Sequence, residues 1–530
     1  PGGAARAFDA LAHSRALVLD EMAERHHALL ERGSKSLAPL IESLARAREG
    51  LGAALQGVPD PARPEEFPAA LERARAAVDD ADRALAERSA PFRAARQEKN
   101  AGLDEILHSL PPEAALVAYA RYRDPGAGVR PGETSYLAFV LASSRRDPIP
   151  VALGQARTID RLVADWRRTI ERAPDDAAAA DAYNEAGLGL RQAIWDPVAA
   201  HLGRAKIVFI VPDADLNLVN YATFPAPGGR YLLETGPTLH YLSAERDLVA
   251  EAAGGREARG LLALGGPDFD AAGPAGDSPA TAYRSALPAC ARAASLRFDA
   301  LPGAREEARE VASQVRRAAG RSGKEPILVL TGQEAGEEAV KRLSHGRRIL
   351  HLATHHFWFG DACDAAAPRA DDAPAPPSAQ RPLRASPLLL TGLALAGVNR
   401  RDDPKRSADQ EDGLLTADEI SSLDLRGTEW VVLSACQSGV GPVLPGEGVL
   451  GLRRAFRIAG ARTLVMSLWA VGDQDAREWV RELYAARLGG RSTAESLRLA
   501  SRRILDSRRE AGATTHPHTW GAFVSAGDWR

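Results

Sequence analysis

The chain has 530 residues, and at roughly 150 residues per domain that length is consistent with three or four units. Its 67 basic and 70 acidic side chains leave a net charge of -3, which argues against a nucleic acid or an anionic membrane held through a basic surplus. Hydrophobic residues at 45% and charged residues at 26% suit a soluble globular protein. The longest apolar run, Leu388 to Val398, is far below the roughly 18 residues a membrane helix needs. The three cysteines, Cys290, Cys363 and Cys436, make no disulfide framework, so a reducing, cytoplasmic compartment is expected. There is no secretory signal, and a first residue of Pro1 rather than Met reads as a piece of a longer product.

Residues 1–108 read as helices. Leu11, Val18, Met22 and Leu29 recur at sevens and fours, and Leu40, Ile41, Leu44, Ala47, Leu51 and Leu55 line one face of a second helix. Leu71, Ala74, Val78, Ala81 and Leu85 alternate by three and four, like a coiled-coil seam. Pro59, Pro61 and Pro64 separate the second helix from the third. Nothing in this region is poised for chemistry, which leaves packing or docking as its task. From Glu113 the pattern changes. Ala115–Tyr122 and Ser135–Ala142 predict an antiparallel strand pair, followed by helices near 157–172 and 179–202. Lys206–Val211, Gly260–Leu264, Ile327–Leu330, Arg348–Ala353, Trp430–Ala435 and Thr463–Leu468 are short, nearly all-apolar runs with helical stretches between several of them. That alternation predicts an α/β domain whose mostly parallel sheet is buried on both faces. Cys363 to Arg384, rich in Ala, Pro and Asp, and the charged run Arg400 to Asp412 read as mobile loops.

Two strand ends carry reactive groups. His351, His355 and His356 lie on and just past one apolar run, and Cys436 lies just past another, where open parallel sheets build their sites. A thiolate is the nucleophile, and a nearby imidazole lowers its pKa and can protonate a leaving amine. A lone strand cysteine is more often an inert core residue. On a strand, positions four apart lie about 13 Å from each other, so His351 and His355 do not share an ion. No metal site is expected, and His351 reads as a core histidine. Gly446 to Gly451 spells GxGxxG, but residues 437–445 separate it from the strand, so it reads as a loop rather than a dinucleotide site. Position 442 is Pro, where a phosphatase loop starting at Cys436 needs Arg. Cys290 and Cys363 receive no role.

Ordered motifs then carry a family resemblance. They include Val211-Pro212-Asp213, Leu264-Gly265-Gly266-Pro267-Asp268-Phe269, Leu301-Pro302-Gly303-Ala304, Leu330-Thr331-Gly332-Gln333-Glu334-Ala335 and the His strand. Ser386-Pro387-Leu388, Gly392-Leu393, Leu415-Thr416-Ala417, Leu433-Ser434-Ala435-Cys436, Gly446-Glu447-Gly448, Ser467-Leu468-Trp469 and Gly527-Asp528-Trp529-Arg530 complete the series. Over roughly residues 105–530 the chain resembles the CHAT family, caspase-like cysteine peptidases often preceded by tetratricopeptide repeats. The resemblance implies a caspase-like α/β fold: a helical region at 1–108 that ends, or links to, an upstream repeat array; a non-catalytic half at 109–260; and a catalytic half at 261–530 with a mobile insert at 361–412.

By the same resemblance His355 is the catalytic histidine, Cys436 the nucleophile, and the N–H groups of Cys436 and His356 the oxyanion hole. The family has Gly where His356 stands, so a side chain there is expected to strain a glycine-like backbone or crowd the cleft. No third orienting side chain is evident, which leaves a backbone carbonyl to serve. Asp473 and Asp475 fall where such folds wall the pocket beside the scissile bond, and an acid there favours Arg or Lys. Read as local structure, they are equally an N-cap and a first-turn acid of a helix. The implied function is a cytoplasmic cysteine endopeptidase cutting a protein substrate, without cofactor, nucleic acid or membrane. An upstream repeat region or regulatory protein would control it, in bacterial defence or programmed cell death. The alternatives are a catalytically silent scaffold and an acyl-transferring enzyme with the same dyad.

Overall fold

The computed structural model describes residues 2–16, 22–23, scattered positions between 37 and 88, 101–123, 133–171, 177–249, 258–272, 296–320, 325–359, 387–401, 403, 410–435, 438–439, 443–444, 448–449 and 451–530. In chain order the strands are β1 (Ala114–Arg123), β2 (Thr134–Ala142), β3 (Ile149–Gln155), β4 (Ile207–Val211), β5 (Thr238–Tyr241), β6 (Leu261–Pro267) and β7 (Ile327–Gly332). They continue as β8 (Ile349–Ala353), β9 (His356–Trp358), β10 (Thr391–Ala394), β11 (Leu414–Thr416), β12 (Trp430–Ser434), β13 (Thr463–Ser467) and β14 (Phe523–Gly527). The helices that bear on the argument are α1 (Gly2–Ser14), α2 (Leu103–Ser109), α3 (Ala156–Ile170), α4 (Ala177–Ile194), α5 (Pro302–Ala319), α6 (Glu337–Leu343), α7 (Ala417–Ser421), α8 (Leu452–Ile458), α9 (Asp473–Leu488) and α10 (Thr493–Glu510).

Eleven strands form one sheet in the order β3-β2-β1-β4-β5-β14-β13-β12-β8-β6-β7. β1, β4, β5 and β14 run parallel, as do β13, β12, β8, β6 and β7. The antiparallel pairing of β13 with β14 joins the two blocks. The expected α/β architecture, a mostly parallel sheet flanked by helices, is present. All six apolar runs became strands within a residue or three of their predicted limits, and β1 and β2 pair antiparallel as predicted. Both faces are buried because both carry apolar side chains. Along β1, Val117 and Tyr119 enter the main core, while Leu116 and Ala118 enter a second cluster with Phe8, Ile106 and Phe209. Pro150 sits in β3, the outermost strand, where a missing N–H costs no ladder bond to a further neighbour.

The structure bears on three parts of the expected division of the chain. First, Phe8 and Ala12 of α1 and Ile106 of α2 cover one face of the sheet. In the remainder of 1–108, Leu37, Leu40 and Leu44 pack on Ala81 and Leu85, so these parts of the predicted second and third faces meet. Second, 361–412 is not one mobile insert, because β10 lies inside it, fully buried. Residues 360–386 and most of 402–409 lie outside the described residues. Third, β14, from the 261–530 segment, sits against β5 of the 109–260 segment. Among the described residues, no helix is long and apolar enough to cross a membrane.

The end of α1 is fixed by buried charge. Arg15 Nε donates to Glu245 Oε1 at 3.0 Å, and the two side chains are 2% and 0% exposed. Arg246 donates to the carbonyls of Ala12 and Arg15, satisfying groups the helix terminus leaves open. Removing the acid strands a buried guanidinium, so Glu245→Ala is expected to cost about 3–5 kcal/mol in urea unfolding. A loss below about 1 kcal/mol would contradict the buried pairing.

Candidate active site

β8 is buried throughout and lies between β6 and β12. Its last residue, Ala353, is in register with Ser434, the last of β12. From these paired ends the sequence runs two residues further to His355 on one strand and Cys436 on the other. Cys436 and Gln437 lie outside the described residues. The residues flanking them are held by β13: Ser467 Oγ donates to the Ala435 carbonyl at 2.8 Å, and the Ser467 N–H donates to Ser438 Oγ at 3.1 Å. The Gly439 N–H completes the turn on the Ser467 carbonyl at 2.8 Å.

His355 is positioned from three sides. The Thr354 hydroxyl donates to the Ala394 carbonyl, and the Ala394 N–H donates to the His355 carbonyl at 2.9 Å, which fixes the backbone on β10. The imidazole packs against the rings of Phe269 and Phe298, with centroids 5.3 and 5.6 Å away, and those two rings also touch each other at 5.9 Å. Nε2 is 2.9 Å from the backbone oxygen of Asp299. A carbonyl only accepts, so this bond places the proton on Nε2 and leaves Nδ1 as the basic nitrogen. The expected backbone carbonyl is therefore that of Asp299, which sequence reasoning did not identify.

His356 opens β9, the edge of a three-stranded sheet with β10 and β11. It faces Leu393 in register, and the bond from Ala394 to His355 makes this a pair whose peptide groups do not bond each other. Its N–H therefore points away from β10. The expected strain is absent: among the described residues, positive φ at non-glycine positions occurs at Ala16, Glu113 and Ala214. The imidazole lies along β10, with Nε2 2.8 Å from Thr391 Oγ1. Burial pushes its pKa down to about 4, which keeps it neutral. Gly392 makes the tight packing possible, since a Cβ there would lie 2.3 Å from the Leu415 oxygen and 2.6 Å from the Phe357 ring.

The remaining candidates are engaged within the chain. Asp473 accepts from the Gly303 N–H at 2.7 Å, tying the start of α9 to the start of α5. Asp475, in the first turn of α9, lies 3.6 Å from Arg508, and burial raises its pKa. His351 is a fully buried core residue, 2.9 Å from Glu307 and beside the Tyr484 ring. Of the GxGxxG stretch, Gly448 and Val449 form a hairpin with Val443 and Leu444, unlike the strand-to-helix turn of a dinucleotide site. Cys290 and Cys363 lie outside the described residues. Glu337, Glu411 and Glu419 converge closely enough to suggest a cation, but the Lys341 ammonium already contacts them at 2.7, 3.3 and 3.1 Å.

Residues 184–528 match the family model described as CHAT domain. Tetratricopeptide repeat protein 28 of Homo sapiens is 28% identical over 230 residues, 43% of this chain and 8% of that protein. Its Mus musculus counterpart is 35% identical over 115 residues, 22% of this chain and 4% of that protein. The chain thus spans less than a tenth of the length of these curated relatives. Among solved structures, the Saccharomyces cerevisiae separase–securin complex aligns with a TM-score of 0.41 and 8% identity, covering 87% of this chain and 34% of that one. The Arg-specific cysteine proteinase gingipain R aligns with a TM-score of 0.36 and 8% identity, covering 70% and 74%. Scores this low carry no argument about chemistry.

Burial holds His240, His356 and His516 each at a pKa of about 4, below the unfolded value near 6.5. The unfolded chain therefore binds more protons between those values, and stability falls as pH drops through the window. Urea unfolding is expected to be weaker at pH 5 than at pH 6.5, with His240 and His356 each contributing up to about 3 kcal/mol across the full window and the less enclosed His516 less. His356→Gln should lessen that slope. Equal stability at pH 7 and pH 5 would show that these rings are not buried in the neutral form.

Proposed function

The chain belongs to the CHAT domain family, and from that premise we propose that it is a cysteine endopeptidase cutting a protein partner at a selected peptide bond. The observation that supports this most is the imidazole of His355, fixed at a strand end with Nε2 on the Asp299 carbonyl. That strand end is in register with the one leading to Cys436. In the proposed reaction Nδ1 of His355 takes the thiol proton, and the Cys436 sulfur attacks the carbonyl carbon. The N–H groups of Cys436 and His356 hold the oxyanion. Collapse of the tetrahedral intermediate breaks the C–N bond, and the imidazolium returns its proton to the leaving amine. Water, deprotonated by the same imidazole, then hydrolyses the thioester and restores the thiol.

Asp473 and Asp475 are already engaged, and we assign neither to a substrate pocket. We assign control to an upstream repeat region or regulatory protein, in a defence or cell-death role, by analogy with the family alone. The test is intact-mass labelling by an irreversible peptidyl electrophile. Wild type should take up one label, Cys436→Ala none, and His355→Ala label at least about a hundredfold more slowly. A wild type that stays unlabelled, alone and with candidate partners, would move the assignment to a catalytically silent CHAT scaffold for signalling or interaction.

A further inference from the structure

The Asp299 carbonyl that orients His355 comes from 296–301, a segment outside any helix or strand. Nothing in the sheet ladder fixes such a segment, so its placement has to come from side chains. Asn399 supplies most of it. Its Oδ1 accepts from the Phe298 N–H at 2.9 Å, and its Nδ2 donates to the Phe298 carbonyl at 2.9 Å. The side-chain amide thus pairs with Phe298 as a neighbouring strand would. Nδ2 also donates to Asp270 Oδ1 at 3.1 Å, and the Asn399 backbone N–H donates to the Phe269 carbonyl at 2.9 Å. All three side-chain bonds agree on which end of the amide is oxygen. One residue therefore grips the backbone of both aromatic residues that pack against His355. Phe298 is also the residue immediately before the carbonyl that His355 bonds. Arg401, two residues on, adds a bond to the Leu296 carbonyl at 2.9 Å.

We propose that Asn399 is a positioning residue for His355, holding residues 298–299 so that the Asp299 carbonyl selects the Nε2–H tautomer and Nδ1 stays basic. This rests on the peptidase reading for its catalytic consequence, but not for its effect on the tautomer. Without the amide, Phe298 loses two backbone bonds, the carbonyl drifts from Nε2, and the ring can carry its proton on either nitrogen.

The experiment uses the full chain with isotope-labelled histidine, His355 being assigned by its loss in His355→Gln. Wild type should show the Nε2–H form of His355. Asn399→Ala should show a mixture of tautomers and label Cys436 roughly ten- to a hundredfold more slowly, the scale of a modest misplacement at a reacting group. Asn399→Asp is isosteric, so the test does not hang on the alanine variant folding. It keeps the acceptor for the Phe298 N–H but sets a second oxygen against the Phe298 carbonyl and Asp270. Its labelling rate, divided by that of wild type at the same pH, should be low at pH 8 and rise as the pH falls and the carboxyl gains a proton with which to donate to the Phe298 carbonyl. A purely structural role would lower the melting temperature without moving the tautomer or that ratio. Wild-type tautomer and a labelling rate within about twofold in a folded Asn399→Ala would overturn the proposal. A wild type that never labels would sink the peptidase reading, while the tautomer measurement would still judge Asn399.

Discussion

β14 pairs residue for residue with β13, from Thr463 opposite Gly527 to Ser467 opposite Phe523, and its other edge lies along β5. Remove that strand and the sheet becomes two blocks, each with a bare edge at a parallel strand, β5 on one side and β13 on the other. The seam is closely built. At Gly527, with φ at +112°, a Cβ would lie 2.0 Å from the Arg462 oxygen. Phe523 stacks on Trp479 at 4.2 Å, and His240 Nε2 meets the Gly527 carbonyl at 2.8 Å. The candidate site hangs from this seam by one strand. Ser467, the end of β13, bonds the residues that flank Cys436 in sequence, and β12 beside it sets the level of β8.

The two halves of the proposed dyad are held by different means. On the cysteine side, Ala435 and Ser438 are bonded to Ser467, the last residue of β13 in the sheet. His355 begins on the sheet but takes its orientation from loops, through two aromatic rings and one carbonyl. A carbonyl dipole fixes a tautomer without adding a full negative charge, so it stabilises an imidazolium less than a carboxylate would. In the proposed mechanism the ring is oriented first and charged only when it takes the thiol proton.

Much of this architecture was legible in the sequence because buried parallel strands are continuous apolar runs, and six of them lie between recognisable helices. His355 and Cys436 stood out because reactive groups just beyond such runs have little structural reason to be there. Most of the missed strands lacked that signature. β9 and β11 are three residues long and pair only with β10, which lies inside the apolar run Leu388–Val398 but is itself only four residues long; β3 is an edge containing Pro150; β14 ends Ser-Ala-Gly. Asp299 was illegible for a more basic reason: its role uses the backbone oxygen every residue carries. Asn399 stands next to the charged run from Arg400, which masks it as ordinary loop polarity. The strain expected at His356 is absent because a glycine in a family pattern marks either torsional freedom or lack of a side chain, and here an extended backbone needs no such freedom.

The order of strands along the chain has a kinetic meaning. β14 reaches its neighbours across most of the domain: the bond between His240 and Gly527 spans 287 residues. Closing so long a loop is slow, because its entropy is lost before any contact rewards it. Until that happens β14 is paired along β13 alone, and its other edge stays open. Joining the two blocks is thus tied to this long-range closure, so a half-folded chain carries an unpaired edge at β14 where β5 will dock.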